Sequence, residues 1–308
     1  MKKILIYTFL MISVGPVFSQ QEKRITLPNG WSLSPAGQSL PLGDLPLNIA
    51  VSSSKKWLAV TNNGESTQTL QLIDAADKKI LDNQVIPESW LGLKFSADEK
   101  FLYASGGNDN WILKYEISNN HLILLDSIAL GKKWPIKISP AGLDIDDARQ
   151  LLYVVTKENN SLYILDLKTK KIVKQLPLGA EGYTCLLSNN KKELYISCWG
   201  SDRLQIFDTR LLQFSAAIPV GDNPNDICLT KNDHWLFVAN ANDNSVSVID
   251  IPKRKVIETL NAALFPNSPS GSTSNALALS EDGKTLYVAN ADNNCLAVFD
   301  VSIPGSSR

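Results

Sequence analysis

Trp90, Tyr183 and Trp199, with Lys157, Glu158, Asp202 and Arg203 in the segments beside them, are the residues of this sequence best suited by type to hold a ligand. An aromatic face stacks on a ring or an apolar partner, and a nearby cation such as Lys157 or Arg203 pairs with an anionic group. Residue types for covalent chemistry are scarcer. There are two histidines, His121 and His234, both in polar turn-like segments. Two separated histidines cannot build a His-rich zinc site, and no Ser or Cys motif beside them suggests a triad. The cysteines, Cys185, Cys198, Cys228 and Cys295, match neither a CxxC motif nor a zinc ribbon and sit in or beside apolar runs, which reads as buried free thiols. No GxxxxGK phosphate cradle is present. From the residues alone, no catalytic group, no metal-ligand set and no cofactor are expected.

These candidates must be positioned by a repeat. "TLYVANADNNCLAVFD", Thr285 to Asp300, nearly restates "WLFVANANDNSVSVID", Trp235 to Asp250. The acid closing each such phrase falls at Asp74, Glu116, Asp166, Asp208, Asp250 and Asp300, at steps of 42 or 50 residues. Each unit reads as short strands rich in Val, Ile, Leu and aromatics, separated by Asn, Asp, Gly and Lys turns. Several runs are continuously apolar, as in sheets covered on both faces, and helical periodicity is absent. Six units of four strands predict an all-β fold, a β-propeller with six visible four-stranded repeats: six-bladed, or seven-bladed with its last blade truncated. "SLPLGD", Ser39 to Asp44, matches "QLPLGA" and "AIPVGD", which end fourth strands, while the last unit stops at "VSIPGSSR". Ring closure by an N-terminal strand is therefore expected, since it removes exposed sheet edges.

The repeat also separates structural residues from candidate ones. A recurrent Asp at a strand end accepts turn N–H groups, so the aspartate column reads as structural, and the Asn-Asp pairs read as hairpin-turn residues. The loops leading into each first strand share one face, the upper face, with the loops between second and third strands. There the units hold Leu47, Leu91, Ala141, Tyr183, Asn225 and Asn275 in one column, and Trp90 in the column before. Trp90, Tyr183 and Trp199 are aromatics that turn chemistry does not require. With Lys157, Arg203, Asn225 and Asn275 they make the upper face the expected site for an unidentified small molecule or protein partner. The same aromatics could instead plug the central channel. Two insertions, "GKKWPIKISPAG" and "FPNSPSGSTSN", enlarge loops on that face.

Residues 1–19 read as a signal peptide: Lys2 and Lys3 precede an apolar run, and Val17 and Ser19 sit at the small-residue positions before Gln20. This predicts a periplasmic or secreted protein with no membrane span after cleavage. Removing Met1 to Ser19 takes two of the 30 Lys and Arg and none of the 31 Asp and Glu, moving the formal charge from −1 to about −3. Charges of both signs are interspersed, which excludes the basic footprint of a nucleic-acid binder. Residues 20–37 read as a lead-in and 38–308 as the propeller.

At "YVAN" (Tyr287 to Asn290), "FVAN" (Phe237 to Asn240) and "AVTN" (Ala59 to Asn62) the sequence resembles the YVTN-repeat, YncE-like β-propellers. The column departs from the pattern at Gly106, Thr156 and Cys198. Longer phrases, "SWLGLKFSADEKFLYASGGNDN" among them, are similar to the propeller half of secreted bacterial proteins that carry a phosphoesterase domain of the alkaline-phosphatase superfamily. The resemblance implies a binding or scaffolding module joined to such a domain, with a further blade and the enzyme beyond these residues. A self-contained propeller hydrolase or lactonase, Ca²⁺-dependent through Asn, Asp and main-chain carbonyls, and a purely structural surface repeat are the alternatives.

Overall fold

The computed structural model of the chain describes residues 24–26, 30, 32–33 and 38–308 apart from 134, 266 and 272. The expected signal segment and most of the lead-in lie outside the described residues. Contacts divide the chain after Pro41. Before that point, β1 (Ile25–Thr26) pairs with β2 (Ser32–Leu33).

From Leu42 onward the chain makes six antiparallel sheets, each from consecutive strands. They are β3 (Pro46–Val51), β4 (Trp57–Asn62), β5 (Thr69–Asp74) and β6 (Lys79–Val85); then β7 (Leu93–Phe95), β8 (Phe101–Ser105), β9 (Trp111–Ser118) and β10 (His121–Ala129). The third is β11 (Pro140–Asp146), β12 (Leu151–Thr156), β13 (Ser161–Asp166) and β14 (Lys171–Pro177), and the fourth β15 (Gly182–Leu187), β16 (Glu193–Cys198), β17 (Arg203–Asp208) and β18 (Gln213–Pro219). The fifth is β19 (Pro224–Leu229), β20 (Trp235–Asn240), β21 (Ser245–Asp250) and β22 (Lys255–Asn261); the sixth is β23 (Ser274–Leu279), β24 (Thr285–Asn290) and β25 (Cys295–Asp300). First strands neighbour one another from β3 through β7, β11, β15 and β19 to β23, so they form the inner wall. This is an all-β, six-bladed propeller.

Local chemistry sets the hairpins. Asp166 Oδ1 accepts the N–H groups of Lys168 and Thr169 at 2.8 Å, and Asp208 Oδ1 those of Arg210 and Leu211 at 2.8 and 2.7 Å. The turn ends on a left-handed residue, Lys170 at φ 59° or Leu212 at φ 53°, and the fourth strand starts opposite the aspartate. The second blade has Glu116 in that column and closes differently. Asn119 and Asn120, at φ 51° and 65°, form a two-residue turn of the type that matches strand twist.

The Asn that ends the second strand is a buried stitch. Asn240 Nδ2 donates to Ser245 Oγ and Ser247 Oγ, both at 2.9 Å, and its Oδ1 accepts the Gly221 N–H at 3.2 Å from the preceding loop. A Cβ on Gly221 would lie 2.6 Å from Asn240 Cγ, so this close approach requires glycine. Asn62 Nδ2 repeats the two donations, to Thr69 Oγ1 and Gln71 Oε1 at 2.9 and 3.1 Å.

Five apolar clusters cement neighbouring blades. Tyr153, Val155, Leu162 and Ile164 of the third blade, for example, meet Leu194, Ile196 and Phe207 of the fourth, all at 0–1 % exposure. Burial on both faces explains the continuously apolar runs. The sixth blade is different. Leu286 and Val288 pack towards the fifth blade, whereas Tyr287, Leu296 and Val298 on its other face are 40, 65 and 57 % exposed. Across the lower side, Lys55 of the first blade reaches Glu281 of the sixth at 2.6 Å.

The expected closing strand is corrected here. Gln38 to Asp44 form no strand, and the sixth sheet has three strands among the described residues. What "SLPLGD" shares with "AIPVGD" is the turn after it. Asp44 O and Leu45 O accept Gly64 N and Asn63 N at 3.0 Å, as Asp222 O and Asn223 O accept Asn242 N and Ala241 N. The matching residues lead into a first strand. The last residue, Arg308, exchanges both backbone hydrogen bonds with Asp300, in the register at which Lys255 meets Asp250.

Candidate functional site

Trp90 lies just ahead of β7, its N–H donating to Ser105 O at 3.3 Å, and it packs partly on the cluster between the third and fourth blades. Tyr183 is the second residue of β15. Its neighbour Gly182 sits so close to the third blade that a Cβ would fall 2.7 Å from Leu178 Cδ1. Trp199 opens the short 3-10 turn after β16. The rings of Tyr183 and Trp199 stack, centroids 5.5 Å apart at 21°. Burial pushes the Tyr183 phenol up to about 12, so the ring presents a neutral hydroxyl at all ordinary pH.

These aromatics meet. Trp90, Tyr183 and Trp199, with Lys157, Glu181 and Leu47, line a cavity of about 150 Å³ on the upper face at the inner wall. Lys157 Nζ lies 5.6 Å from the Trp90 ring centre and 3.7 Å from Glu181 Oε1, so its charge is already partnered. A second cavity of about 340 Å³ adjoins the first and shares Trp90 and Lys157 with it. Its wall is polar: Gln68, Glu88, Asn108 and Glu158 contribute to it. Asn108 Nδ2 donates to Glu88 Oε2 at 2.9 Å, and Ser139 Oγ donates to Asn108 Oδ1 at 3.2 Å.

The remaining candidates lie apart from this pair of cavities. Arg203 is exposed at the start of β17 and donates through Nε to Ser201 Oγ at 3.0 Å. Asn225 is wholly buried; its Nδ2 donates to Asn275 Oδ1 at 3.0 Å and its Oδ1 accepts the Asp226 N–H at 2.6 Å. Those two amides tie the fifth blade to the sixth. His121 is exposed beside the outer turn, and His234 stacks on Trp235 at 4.4 Å. All four cysteines are free. Among the described residues no three His, Cys, Asp or Glu side chains gather to hold a metal ion.

Sequence reasoning missed three charged groups on the inner strands. Lys94 Nζ meets Asp144 Oδ1 at 2.9 Å, and Asp144 also accepts the N–H of Leu187 in the next blade at 2.8 Å. Asp144 holds the Lys94 ammonium above the usual lysine range although burial opposes it. Asp226 accepts the N–H of Leu277 in the next blade at 2.8 Å and that of Ile227 at 2.9 Å. Enclosure in the wall lifts its pKa to about 6, against the pull of those two N–H groups. The available signal was a charged residue inside an otherwise apolar first strand.

Radial four-stranded sheets around a wall of first strands, with a pocket where their loops converge, define a β-propeller of the repeat-scaffold kind. The chain belongs to the YncE-like β-propeller family, whose profile matches residues 20–306. No curated protein matches the sequence.

Proposed function

We propose that this chain is an exported ligand-binding propeller whose site is the upper-face pocket of Trp90, Tyr183 and Trp199. The observation that carries the reading is their convergence on one cavity from two separate blades, the second and the fourth. Side chains that only filled the repeat would not need aromatics at positions where sibling units hold Pro, Gly, Ser, Ala, Asn or Leu. The resemblance to phosphoesterase-linked propellers supports a role in presenting a bound partner to such a domain. Export is supported by Lys2, Lys3, the apolar run and Ser19.

A thermal-shift screen of a small-metabolite library against the full chain and the Trp90→Ala/Trp199→Ala variant tests the site. A compound that stabilises the parent chain and not the variant supports it. Compounds that stabilise both equally, or a variant that fails to fold, place the aromatics among the channel plugs. Mass spectrometry of the exported protein should find Gln20 at its N-terminus, and an intact Met1 counts against export by cleavage. The sequence downstream of Arg308 tests the phosphoesterase link.

A further inference from the structure

The chemistry of the second cavity says what kind of ligand suits the pair. Its free groups are mostly acceptors. The Glu158 carboxylate is exposed with no hydrogen-bond partner among the described residues. Glu88 accepts from Asn108 and keeps further lone pairs free. The donors are fewer: Lys157 Nζ faces Glu181 at 3.7 Å, Asn63 Nδ2 donates to Ser89 O, and the Gln68 amide nitrogen adds one more to the wall. An anionic ligand would meet Glu88 and Glu158 with one already partnered lysine to offset them, so phosphate or carboxylate compounds are disfavoured. A ligand rich in hydroxyl donors satisfies the Glu88 and Glu158 carboxylates. Trp90 lines both cavities and is the aromatic residue of the otherwise polar second lining.

Hydroxyl donors around the rim of a ring with an apolar C–H face describe a pyranose. We propose that the paired cavities bind an uncharged oligosaccharide, one sugar stacked against Trp90 and its neighbour donating hydroxyls to Glu88 and Glu158. Two adjoining cavities sharing one aromatic wall suit at least two rings. The assignment rests on the binding reading above and narrows it to one ligand class.

The test is isothermal titration of the full chain with maltotriose, cellotriose and triacetylchitotriose, with glucose 6-phosphate and tetramethylammonium as comparators. At least one trisaccharide should bind saturably, and Glu158→Gln should weaken it about tenfold while leaving the melting temperature unchanged. Trp90→Phe, which keeps an aromatic face against the core, should weaken it less than Trp90→Ala. Tighter binding of glucose 6-phosphate or of tetramethylammonium overturns the assignment. So does saccharide binding that ignores both Glu158→Gln and Trp90→Ala, or no saccharide heat at about 10 mM. If the saccharides fail while the metabolite screen yields a ligand lost in the double variant, the binding reading survives and only the saccharide assignment falls.

Discussion

Tyr183 in β15 and Trp199 in the turn after β16, both of the fourth blade, stack at 5.5 Å and together form one wall of the upper-face pocket. An offset aromatic pair contributes about 0.5–1.5 kcal/mol beyond its buried area. A double-mutant cycle with Tyr183→Leu and Trp199→Leu, read by urea denaturation, should return a coupling in that range. Additive losses would mean the rings act independently.

Asn240 stands for the buried asparagine of the repeat. Asn240→Ala strips partners from the Gly221 N–H and the Ser245 and Ser247 hydroxyls, and should cost about 1–3 kcal/mol. Chemical denaturation measures it. An unchanged midpoint would show that water replaces the amide at no cost.

Asp226 should leave a signature in the pH dependence of stability. Its folded pKa, about 6, lies above the unfolded value of about 3.9, so in that window the folded chain binds more protons than the unfolded one. Stability from this group is therefore full below about pH 4 and declines as pH rises to about 6. Asp226→Asn should remove this decline, seen as a difference in melting temperature between parent and variant that grows from pH 4 to 6. A constant difference sinks the assignment. Asp166 and Asp208 act in the opposite sense. Turn N–H bonds lower their pKa, so their contribution is present above about pH 4 and is lost as pH falls further.

The two faces of the sixth blade should respond unequally to truncation. Leu286 is fully buried against the fifth blade, and Leu286→Ala should cost about 2–5 kcal/mol. Leu296, 65 % exposed on the other face, should tolerate the same change within about 0.5 kcal/mol. Equal costs would mean that the outer face is covered in solution.

The propeller was legible in the sequence because each blade is specified locally. Turn aspartates such as Asp166 and Asp208, the left-handed residues beside them and the buried asparagine act over a few residues, and repetition prints the aspartate in five blades and the asparagine in three. The upper-face aromatics were legible as departures from that repetition, since Trp90 and Tyr183 stand where turn chemistry asks for nothing large. The pairing of Lys94 with Asp144 was not legible, because it joins strands fifty residues apart, and a charge within an apolar strand does not name its partner. "SLPLGD" misled for the converse reason. Its likeness to a strand end came from the turn that follows, and a local match cannot say which sheet edge a segment reaches.

The sequence by itself determined the blade: strand lengths, hairpin turns and the face on which the variable loops fall, all set by interactions within about fifty residues. Only the tertiary structure decided which variable residues share a cavity. It put Lys157 against Glu181 instead of leaving it free for an anion, spent Asn225 on Asn275, and set Arg203 apart. Those outcomes depend on the angle between successive blades and on which neighbour satisfies each charge first, and the stacking of whole sheets fixes both.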